Sequence, residues 1–343
     1  MLTPDVLVLG GGPAGAMAAM AAAKSGAKVL LVERKRRLGA LPHCAEYISR
    51  AMALEVAFPP RSRVQPVSGM ETFLGGESHF TAGPGWILDR QVFDHGLGLD
   101  AAGAGAEVLC ATRFLGFQGD AALISRGGET EKVFFGALVA ADGAASAAAA
   151  LAGWPRPPLL AGVQVEVPLA KPLEHTMAFL EPEIVGGYAW LFPKGACANL
   201  GLGCLPSAGP RRLLENLREL LVEQEIILPG VLASGGGAIR VDGPYPSLVK
   251  GTTILAGDAA GLTHPVSGAG IPQALFSGRL AGAAAARLAG GDNAAREEYQ
   301  AEVLGRHGRQ LARGVAARQD LQANWGKEDF AALMKRTWIA WAR

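Results

Sequence analysis

The chain has 343 residues, 50% of them hydrophobic and 18% charged, so it suits about two domains and can bury a large core. This composition excludes an intrinsically disordered protein, and the formal net charge of +1 argues against a nucleic-acid-binding protein held by a broad basic field. Four cysteines in so long a chain do not make a disulfide scaffold, and no secretory signal or long uncharged apolar run is present. We therefore expect a reduced, cytoplasmic setting.

The N-terminal segment has the pattern of a dinucleotide-binding βαβ unit. An apolar run at residues 5–9 predicts a strand, and Gly10, Gly12 and Gly15 follow in G-x-G-x-x-G spacing at the start of an alanine-rich helix. These glycines permit a tight turn, a close approach of backbone N–H groups to a pyrophosphate, and tight packing of helix on strand. Glu33 ends the next predicted strand, where a carboxylate can accept hydrogen bonds from a ribose hydroxyl.

Arg34 begins a basic run directly after Glu33. Such a run could bind the 2′-phosphate of NADP, or it could form a solvated loop at the edge of an adenine. Because the Glu33 carboxylate would repel a 2′-phosphate, the sequence favours the second interpretation.

Two further motifs follow strands later in the chain. Residues 138–146 read LVAADGAAS and contain Asp142-Gly143, and residues 252–271 read TTILAGDAAGLTHPVSGAGI and contain Gly257-Asp258. Together with the N-terminal unit, in this order, they resemble the FAD-dependent oxidoreductases of the glutathione-reductase-2 type. This group includes the aromatic hydroxylases, the flavin halogenases and the geranylgeranyl reductases. The resemblance spans essentially the whole chain.

The resemblance implies a bound FAD. Asp258 would then bond to its ribityl or pyrophosphate part, residues 268–271 would lie beside the flavin ring, Arg90 would reach the cofactor, and the backbone near Ala111 would contact adenine. The motifs and the resemblance together assign these residues to the cofactor: Gly10, Gly12, Pro13, Ala14, Gly15, Glu33, Arg34, Cys44, Ala45, Arg90, Ala111, Asp142, Gly143, Gly257, Asp258, Gly268, Ala269, Gly270 and Ile271.

Residues 186–203 narrow the family further. Tyr188, Trp190 and Phe192 alternate, so a strand would place all three on one face, either as part of a core or as the wall of a cavity. The Y-x-W-x-F-P-K pattern followed by N-x-G-x-G is similar to the geranylgeranyl reductase branch, in which this motif lines a hydrocarbon cavity over the flavin.

The segment LPHCAEYIS at residues 41–49 is the second marker of that branch, in which a cysteine stands near the flavin. Cys44 matches this cysteine, but Ala45-Glu46 follows it where the resembled family has glycine. The thiol could serve flavin packing, proton transfer or redox sensing, or it could be a small buried apolar group. The candidate catalytic residues are Cys44, Tyr188 and His264 as proton donors and Trp190 as a cavity wall.

The predicted fold class is α/β, with a doubly wound, Rossmann-type FAD-binding domain, an inserted β-sheet substrate domain and C-terminal helices. We expect residues 1–50, 85–150 and 250–290 in the first, the strand-like segments 51–84 and 155–245 in the second, and residues 291–343 in the helices. From residue 303 onwards, eight Lys and Arg against three acids accompany three tryptophans. These helices could touch the inner face of a membrane, or their tryptophans could pack on the core.

The resemblance implies reduction of isolated C=C bonds in a geranylgeranyl or polyprenyl lipid. The alternatives are a flavin monooxygenase or halogenase, a quinone-linked electron-transfer dehydrogenase, and a flavin-binding sensor that uses Cys44. No second dinucleotide motif is present, so NAD(P)H would bind transiently or a ferredoxin-like partner would supply electrons. No C-x-x-C pattern occurs, so the sequence predicts no metal site, and we expect no nucleic-acid partner.

Overall fold

The computed structural model describes residues 2–40, 44–55 and 59–341, which form 17 strands and eight α-helices. Residues 41–43 of the predicted cysteine segment lie outside the described residues. The strands are β1 (Val6–Leu9), β2 (Val29–Val32), β3 (Tyr47–Ser49), β4 (Arg63–Leu74), β5 (Glu77–Leu88), β6 (Glu107–Leu109), β7 (Thr112–Gln118), β8 (Ala121–Arg126), β9 (Glu129–Phe134), β10 (Ala137–Ala140), β11 (Leu159–Pro168), β12 (Thr176–Leu180), β13 (Tyr188–Lys194), β14 (Cys197–Cys204), β15 (Ala233–Arg240), β16 (Val249–Lys250) and β17 (Thr253–Leu255).

The helices are α1 (Pro13–Lys24), α2 (Arg50–Glu55), α3 (Arg90–Gly103), α4 (Ala147–Leu151), α5 (Pro210–Glu223), α6 (Ile271–Ala289), α7 (Ala295–Asn324) and α8 (Phe330–Thr337). Short 3₁₀ turns occur at Pro60–Ser62, Pro206–Ala208 and Gly257–Ala260. No helix in the described part of the chain combines the length and the apolar character needed to cross a bilayer.

The predicted Rossmann-type sheet is confirmed. Six strands lie in the order β16-β17-β10-β1-β2-β6, and all neighbouring pairs are parallel except β16 with β17. Every residue of the central strand β1 is buried, as is typical of a parallel strand covered on both faces. The carboxyl ends of β1, β10 and β17 therefore lie at one edge, and the three motifs predicted to bind the cofactor follow these strands.

A second sheet has eight strands in the order β15-β11-β14-β13-β12-β4-β5-β3. One of its faces packs on α5, where Leu214 and Leu221 meet the side chains of Leu191, Leu200 and Leu202. The expectation that residues 155–245 are strand-like was wrong for this helix. Pro210 in its first turn and leucines at helical spacing on its buried face give it an amphipathic pattern.

The opposite face of this sheet turns toward the Rossmann-type unit. Strand pairing places Tyr188 opposite Gly203, Trp190 opposite Gly201 and Phe192 opposite Asn199. Since side chains alternate along a strand, the three aromatic residues share this face, as predicted for residues 188–192. We call it the aromatic face of the sheet.

The remaining elements frame these two sheets. Strands β7, β8 and β9 form a small antiparallel sheet, and α7 packs on α6. Helix α8 contributes Leu333 and Met334 to a cluster with Leu74 and Leu180. Trp338, just beyond α8, is only 5% exposed, so the interpretation that the C-terminal tryptophans pack on the core holds for this residue.

Two glycine substitutions test how tightly α1 and α6 pack. A Cβ at Gly282 in α6 would overlap the Ala18 carbonyl of α1, whereas a Cβ at Gly305 in α7 would meet no atom within 4 Å. We expect Gly282→Ala to lower the free energy of unfolding by about 1–3 kcal/mol through overpacking. Gly305→Ala should raise it by roughly 0.5–1 kcal/mol because alanine favours a helix interior. Chemical denaturation of both variants measures this difference, and an equal effect of the two substitutions would contradict it.

Candidate functional site

The glycine-rich loop after β1 leaves an open space in front of helix α1. Gly10 adopts φ +98°, and a Cβ there would overlap the Ala141 carbonyl, while a Cβ at Gly15 would overlap the Gly10 carbonyl. Gly12, by contrast, has no atom within 4 Å of a Cβ position, and no side chain caps the helix that starts at Pro13. The free N–H groups of this helix start therefore face a space in which a pyrophosphate fits.

Glu33 is held at the end of β2 by the surrounding backbone. Its Oε2 accepts a hydrogen bond from the Gly11 amide at 2.7 Å, and its Oε1 accepts one from the Lys35 amide at 2.8 Å. Ala111 donates its amide hydrogen to the Lys35 carbonyl at 2.7 Å and has a left-handed φ of 50°. Ala111 thus lies in the short break between β6 and β7, beside the Glu33 loop, whereas Arg34 is exposed.

The Asp142-Gly143 motif lies beside the glycine loop, but its carboxylate points to α4. Asp142 accepts hydrogen bonds from the Ser146 hydroxyl and from the Ala148 amide, and burial raises the pKa of Asp142. Gly143 adopts φ +89°. In this structure the Asp142 side chain therefore organises the start of α4, and contact with the cofactor would fall to the backbone of the motif.

The third motif forms a second uncapped helix start next to the first. Asp258 accepts a hydrogen bond from the Thr263 hydroxyl at 2.7 Å, and a Cβ at Gly270 would lie 3.1 Å from the Asp258 carboxylate. No side chain caps α6, which starts at Ile271. A Cβ at Gly257 would lie 2.9 Å from the Ala14 side chain, so the two motifs meet.

This donor set fits FAD. Two helix starts without side-chain caps offer N–H groups and positive dipole ends to the anionic parts of the cofactor, and Glu33 and Asp258 offer carboxylates to its hydroxyls. Residues 268–270 directly precede α6. The family resemblance predicts that they lie beside the flavin. No group of three or more His, Cys, Asp or Glu within the described ranges is arranged to hold a metal ion.

Arg90 lies at the start of α3 and is paired within the protein. Its Nε and Nη2 donate to Asp94 at 2.8 and 2.9 Å. Burial opposes ionisation of the guanidinium, but the carboxylate of Asp94 outweighs it and raises the pKa of Arg90. The side chain therefore stays charged beside Cys44, which adds a cation to the predicted flavin end of the site.

Cys44 and Tyr188 are two buried groups that the sequence predicts as proton donors. Burial raises the pKa of the Cys44 thiol, although Arg90 opposes the shift, and the Sγ accepts a hydrogen bond from the Glu46 amide at 3.2 Å. Burial also raises the pKa of Tyr188, whose hydroxyl donates to the Ser267 carbonyl at 2.7 Å. Both groups therefore keep their protons at neutral pH.

His264 shapes the turn that precedes α6. It is buried, and its Nδ1 accepts hydrogen bonds from the amides of Ser267 and Val266 at 3.3 and 3.4 Å. Burial lowers the pKa of His264, so the ring is neutral, and its Nε2 side faces Gly314 of α7. These contacts favour the interpretation of His264 as a loop-stabilising residue over that of a proton donor.

The aromatic face packs on a glycine of β14 and on a tryptophan near the C-terminus. The Trp190 ring lies over Gly201, where a Cβ would come within 2.6 Å of it, and its Nε1 donates to Gln164 at 3.1 Å. Tyr188 stands edge-on to Trp338, with ring centroids 4.6 Å apart. The N-x-G-x-G pattern of β14 thus leaves room for the indole of the neighbouring strand.

Glu46 is the residue of this site whose role the sequence did not reveal. It is 2% exposed and has φ 69°, a conformation that favours glycine. Its Oε1 accepts a hydrogen bond from the backbone N–H of Arg90 at 3.0 Å. Its Oε2 accepts one from the side-chain amide of Asn199 and pairs with the Lys194 ammonium, each at 2.7 Å. The carboxylate thus joins the cysteine loop to α3, β13 and β14.

Comparisons with known proteins identify the family of the chain. The family model described as FAD dependent oxidoreductase matches residues 5–41. The digeranylgeranylglycerophospholipid reductase of Methanothrix thermoacetophila is 33% identical over 81% of this chain and 76% of its own.

Solved structures give the same result for the fold. A geranylgeranyl bacteriochlorophyll reductase-like protein from Thermoplasma acidophilum superimposes with a TM-score of 0.85 at 27% identity, over 100% of this chain and 92% of that one. A myxobacterial chondrochloren halogenase, an FAD-dependent enzyme, superimposes at 0.71 with 18% identity, over 91% of this chain and 82% of that one, and shares the fold alone.

The predicted family is therefore confirmed, and its members carry the name of a reductase. The chain is an FAD-dependent oxidoreductase and belongs to the family of the digeranylgeranylglycerophospholipid reductases.

Proposed function

We propose that this protein reduces isolated C=C bonds in the prenyl chain of a geranylgeranyl lipid. The observation that supports the proposal is the packing of the cysteine loop: Cys44, whose buried thiol stays protonated, packs against the cluster that contains Ile271 at the start of α6, and Ala45 packs against the cluster that contains Trp190. An isolated alkene is not polarised, so its reduction requires a proton donor held close to one of its carbons. The similar protein from Methanothrix thermoacetophila is named as a reductase of a digeranylgeranyl lipid, and the solved structure from Thermoplasma acidophilum is named as geranylgeranyl bacteriochlorophyll reductase-like.

Different residues would bind the hydrocarbon and donate the proton to the alkene. Tyr188, Trp190 and Phe192 would exclude water and bind the hydrocarbon by burial of apolar surface, worth roughly 25 cal/mol per Å². When bound, reduced FAD supplies hydride to one alkene carbon. Cys44 would give its proton to the other carbon and regain a proton from solvent.

Tyr188 and Asp258 would hold this arrangement in place. The Tyr188 hydroxyl is committed to the Ser267 carbonyl, so it would fix the turn of residues 264–269 against the aromatic face. Asp258 would hold the ribityl or pyrophosphate part of FAD, as the family resemblance implies. NAD(P)H or a ferredoxin-like protein would supply the electrons. A peripheral membrane contact of the C-terminal segment would use Ile339, which is 54% exposed, since Trp338 faces inward.

An anaerobic half-reaction tests the proposal. The FAD-loaded protein is reduced with dithionite, a geranylgeranyl lipid is added, and the oxidised flavin band is followed. We expect reoxidation faster than in the lipid-free control, with saturated product detected by mass spectrometry. Rapid productive reaction with oxygen or quinone and none with the lipid would instead identify a monooxygenase, a halogenase or a quinone-linked dehydrogenase.

Replacement of the proposed proton donor should separate chemistry from binding. We expect Cys44→Ala to slow lipid-dependent reoxidation by about 100-fold, the lower range for loss of a general acid, while FAD content stays unchanged. The control is Cys204→Ala, because Cys204 lies on the opposite face of the sheet, in the cluster with α5. Equal rates for the two variants would contradict the role of Cys44.

The pH dependence of the same rate provides a second readout. Because burial raises the pKa of Cys44, its protonated form persists through neutral pH and is lost only above the ordinary thiol value of about 8.5. The rate should therefore be constant from about pH 6 to 8 and fall on the alkaline side. Cys44→Ala should lack this alkaline decrease, and a profile of the same shape in both proteins would exclude the thiol as the donor.

Loss of the Trp190 ring from the aromatic face should weaken binding of the lipid. We expect Trp190→Leu to raise KM for the lipid about tenfold, because it removes a large buried aromatic surface, with a smaller effect on the rate at saturation. Phe179→Leu is the matched control, since Phe179 stacks on Phe73 on the α5 side of the sheet. An unchanged KM in Trp190→Leu would place the hydrocarbon elsewhere.

A further inference from the structure

The loop between α5 and β15 exposes aliphatic side chains in a stretch of sequence without charge. Residues 226–239 contain no charged side chain, although 18% of the chain is charged. Every residue from 228 to 234 is exposed, and the large side chains among them are Leu228 at 47%, Val231 at 50% and Leu232 at 60%. We call residues 228–232 the apolar loop. Single exposed aliphatic residues are ordinary, but three within five residues that include no polar side chain indicate an interaction site.

Backbone hydrogen bonds hold the apolar loop in place at both ends. The Leu228 amide donates to the Pro168 carbonyl at 2.9 Å, and the Leu232 amide donates to the Glu166 carbonyl at 2.8 Å. Both carbonyls belong to β11, the neighbour of β15 in the sheet. The residues between these two bonds form the tip of the loop. The aliphatic side chains are therefore presented to solvent by a segment that is anchored to the sheet.

The apolar loop leads directly into the edge strand beside the aromatic face. Ala233, which follows the loop, lies opposite Glu166 in the strand register, and residues 233–235 line a small polar pocket together with Gln164. Gln164 in turn accepts the hydrogen bond from Trp190. Strand β13, which bears Trp190, is the third strand from β15, so the two strands are roughly 14 Å apart. A surface that contacts the loop therefore lies close to the aromatic face.

The chemistry of the apolar loop favours a lipid bilayer over a protein partner. Protein interfaces are enriched in aromatic residues and arginine and bury roughly 800 Å² on each partner. The apolar loop offers only aliphatic side chains, proline and glycine, over five residues. Such side chains can enter the boundary between head groups and acyl chains without a complementary shape. Strand β15 would stay outside the hydrocarbon, because the open edge of a sheet does not enter it.

The basic C-terminal segment would bind a membrane in a different way. Lys335 pairs with Glu77, and Arg336 pairs with Asp320 and Glu328, so these two cations are already neutralised within the protein. Attraction of basic residues to a membrane requires anionic lipid and weakens as salt is added. Binding through the uncharged apolar loop would require neither anionic lipid nor low salt. The two modes of contact can therefore be distinguished by experiment.

We propose that the apolar loop contacts a lipid bilayer and holds the adjoining side of the aromatic face toward it, so that the prenyl lipid enters from the bilayer. The entry route rests on the proposed function, whereas the contact with the bilayer does not. Because few side chains insert, the contact would be reversible.

Cosedimentation of the FAD-loaded protein with uncharged phosphatidylcholine vesicles tests the contact. We expect binding that persists at about 0.5 M NaCl, where exposed charges are screened. The double substitution Val231→Ser and Leu232→Ser should weaken binding about tenfold, because two exposed aliphatic side chains no longer enter the acyl region. The matched control is the double substitution Leu99→Ser and Leu151→Ser, which removes side chains that are 60% and 56% exposed on α3 and α4. The control should bind as tightly as the unchanged protein.

Three results would overturn the proposed contact. The first is an absence of binding by the unchanged protein, or equal binding by the two double variants. The second is binding that requires anionic phosphatidylglycerol, is lost in salt and is weakened by Ile339→Ser, because this result would assign the contact to the C-terminal segment. The third is a dimer, measured by light scattering, that only the loop substitutions dissociate and that does not bind vesicles. A second copy of the chain would then cover the loop.

The form in which the lipid is supplied separates the entry route from the proposed function. With geranylgeranyl lipid in vesicles, the loop substitutions should slow reoxidation of the reduced flavin about tenfold, in proportion to the loss of vesicle binding. With the same lipid in detergent micelles, the rate should equal that of the unchanged protein. An equal loss in both forms would overturn the entry route. If neither form reoxidises the unchanged protein, the proposed function fails, and vesicle binding still decides the contact.

Discussion

The close packing of α1 on α6 is the constraint on which the cofactor site depends. The backbones of the two helices approach so closely that a Cβ at Gly278 or Gly282 would overlap the carbonyl of Ala14 or Ala18. At these two positions only glycine permits this approach, and the facing residues of α1 are alanines, whose small side chains keep the backbones close. Its consequence is electrostatic, because it holds two helix starts in parallel, with that of α6 about two turns beyond that of α1. Each start carries roughly half a positive charge.

A second constraint fixes the sheet that bears the aromatic face relative to the cofactor site. Glu46 takes a left-handed backbone conformation that costs a non-glycine residue about 1–2 kcal/mol. The cost is offset by bonds from its carboxylate to Arg90, Asn199 and Lys194, which reach three different elements. Because Glu46 is two residues from Cys44, this buried network also sets where the thiol stands relative to Tyr188 and Trp190. The position of the proposed proton donor therefore depends on a carboxylate that has no chemical role of its own.

Local patterns in the sequence predicted the parts of the fold that depend on local physics. The glycines at 10, 12 and 15 and the strand that precedes them act within one βαβ unit, so their spacing was sufficient to predict the first helix and the open loop. The alternation of Tyr188, Trp190 and Phe192 likewise predicted a shared face. Helix α5 was missed because prolines and glycines around it suggested breaks between strands, although its leucines have helical spacing.

Such local patterns did not predict the contacts between residues that are distant in the sequence. Trp338 meets Tyr188 across 150 residues of chain, and Glu46 meets Asn199 across 153, so neither pair follows from spacing. The only sequence signal for Glu46 was that Ala45-Glu46 follows the cysteine where the resembled family has glycine. A charged residue in a position suited to glycine indicates a compensating bond, but its partner is set by the register of β13 and β14.

The aromatic face of the eight-stranded sheet carries apolar side chains on one strand and polar side chains on another. On the aromatic face, β13 presents aromatic rings and β14 presents glycines that make room for them. Strand β11 presents the polar side chains of Gln164 and Glu166 on the same face. The halogenase shares this architecture at 18% identity, so the fold itself does not select a reaction. What distinguishes this chain is which side chains alternate onto that face. A single shift of register in β13 would turn Tyr188 and Trp190 toward α5 and replace them with Ala189 and Leu191, which would remove the aromatic wall while leaving the cofactor site intact.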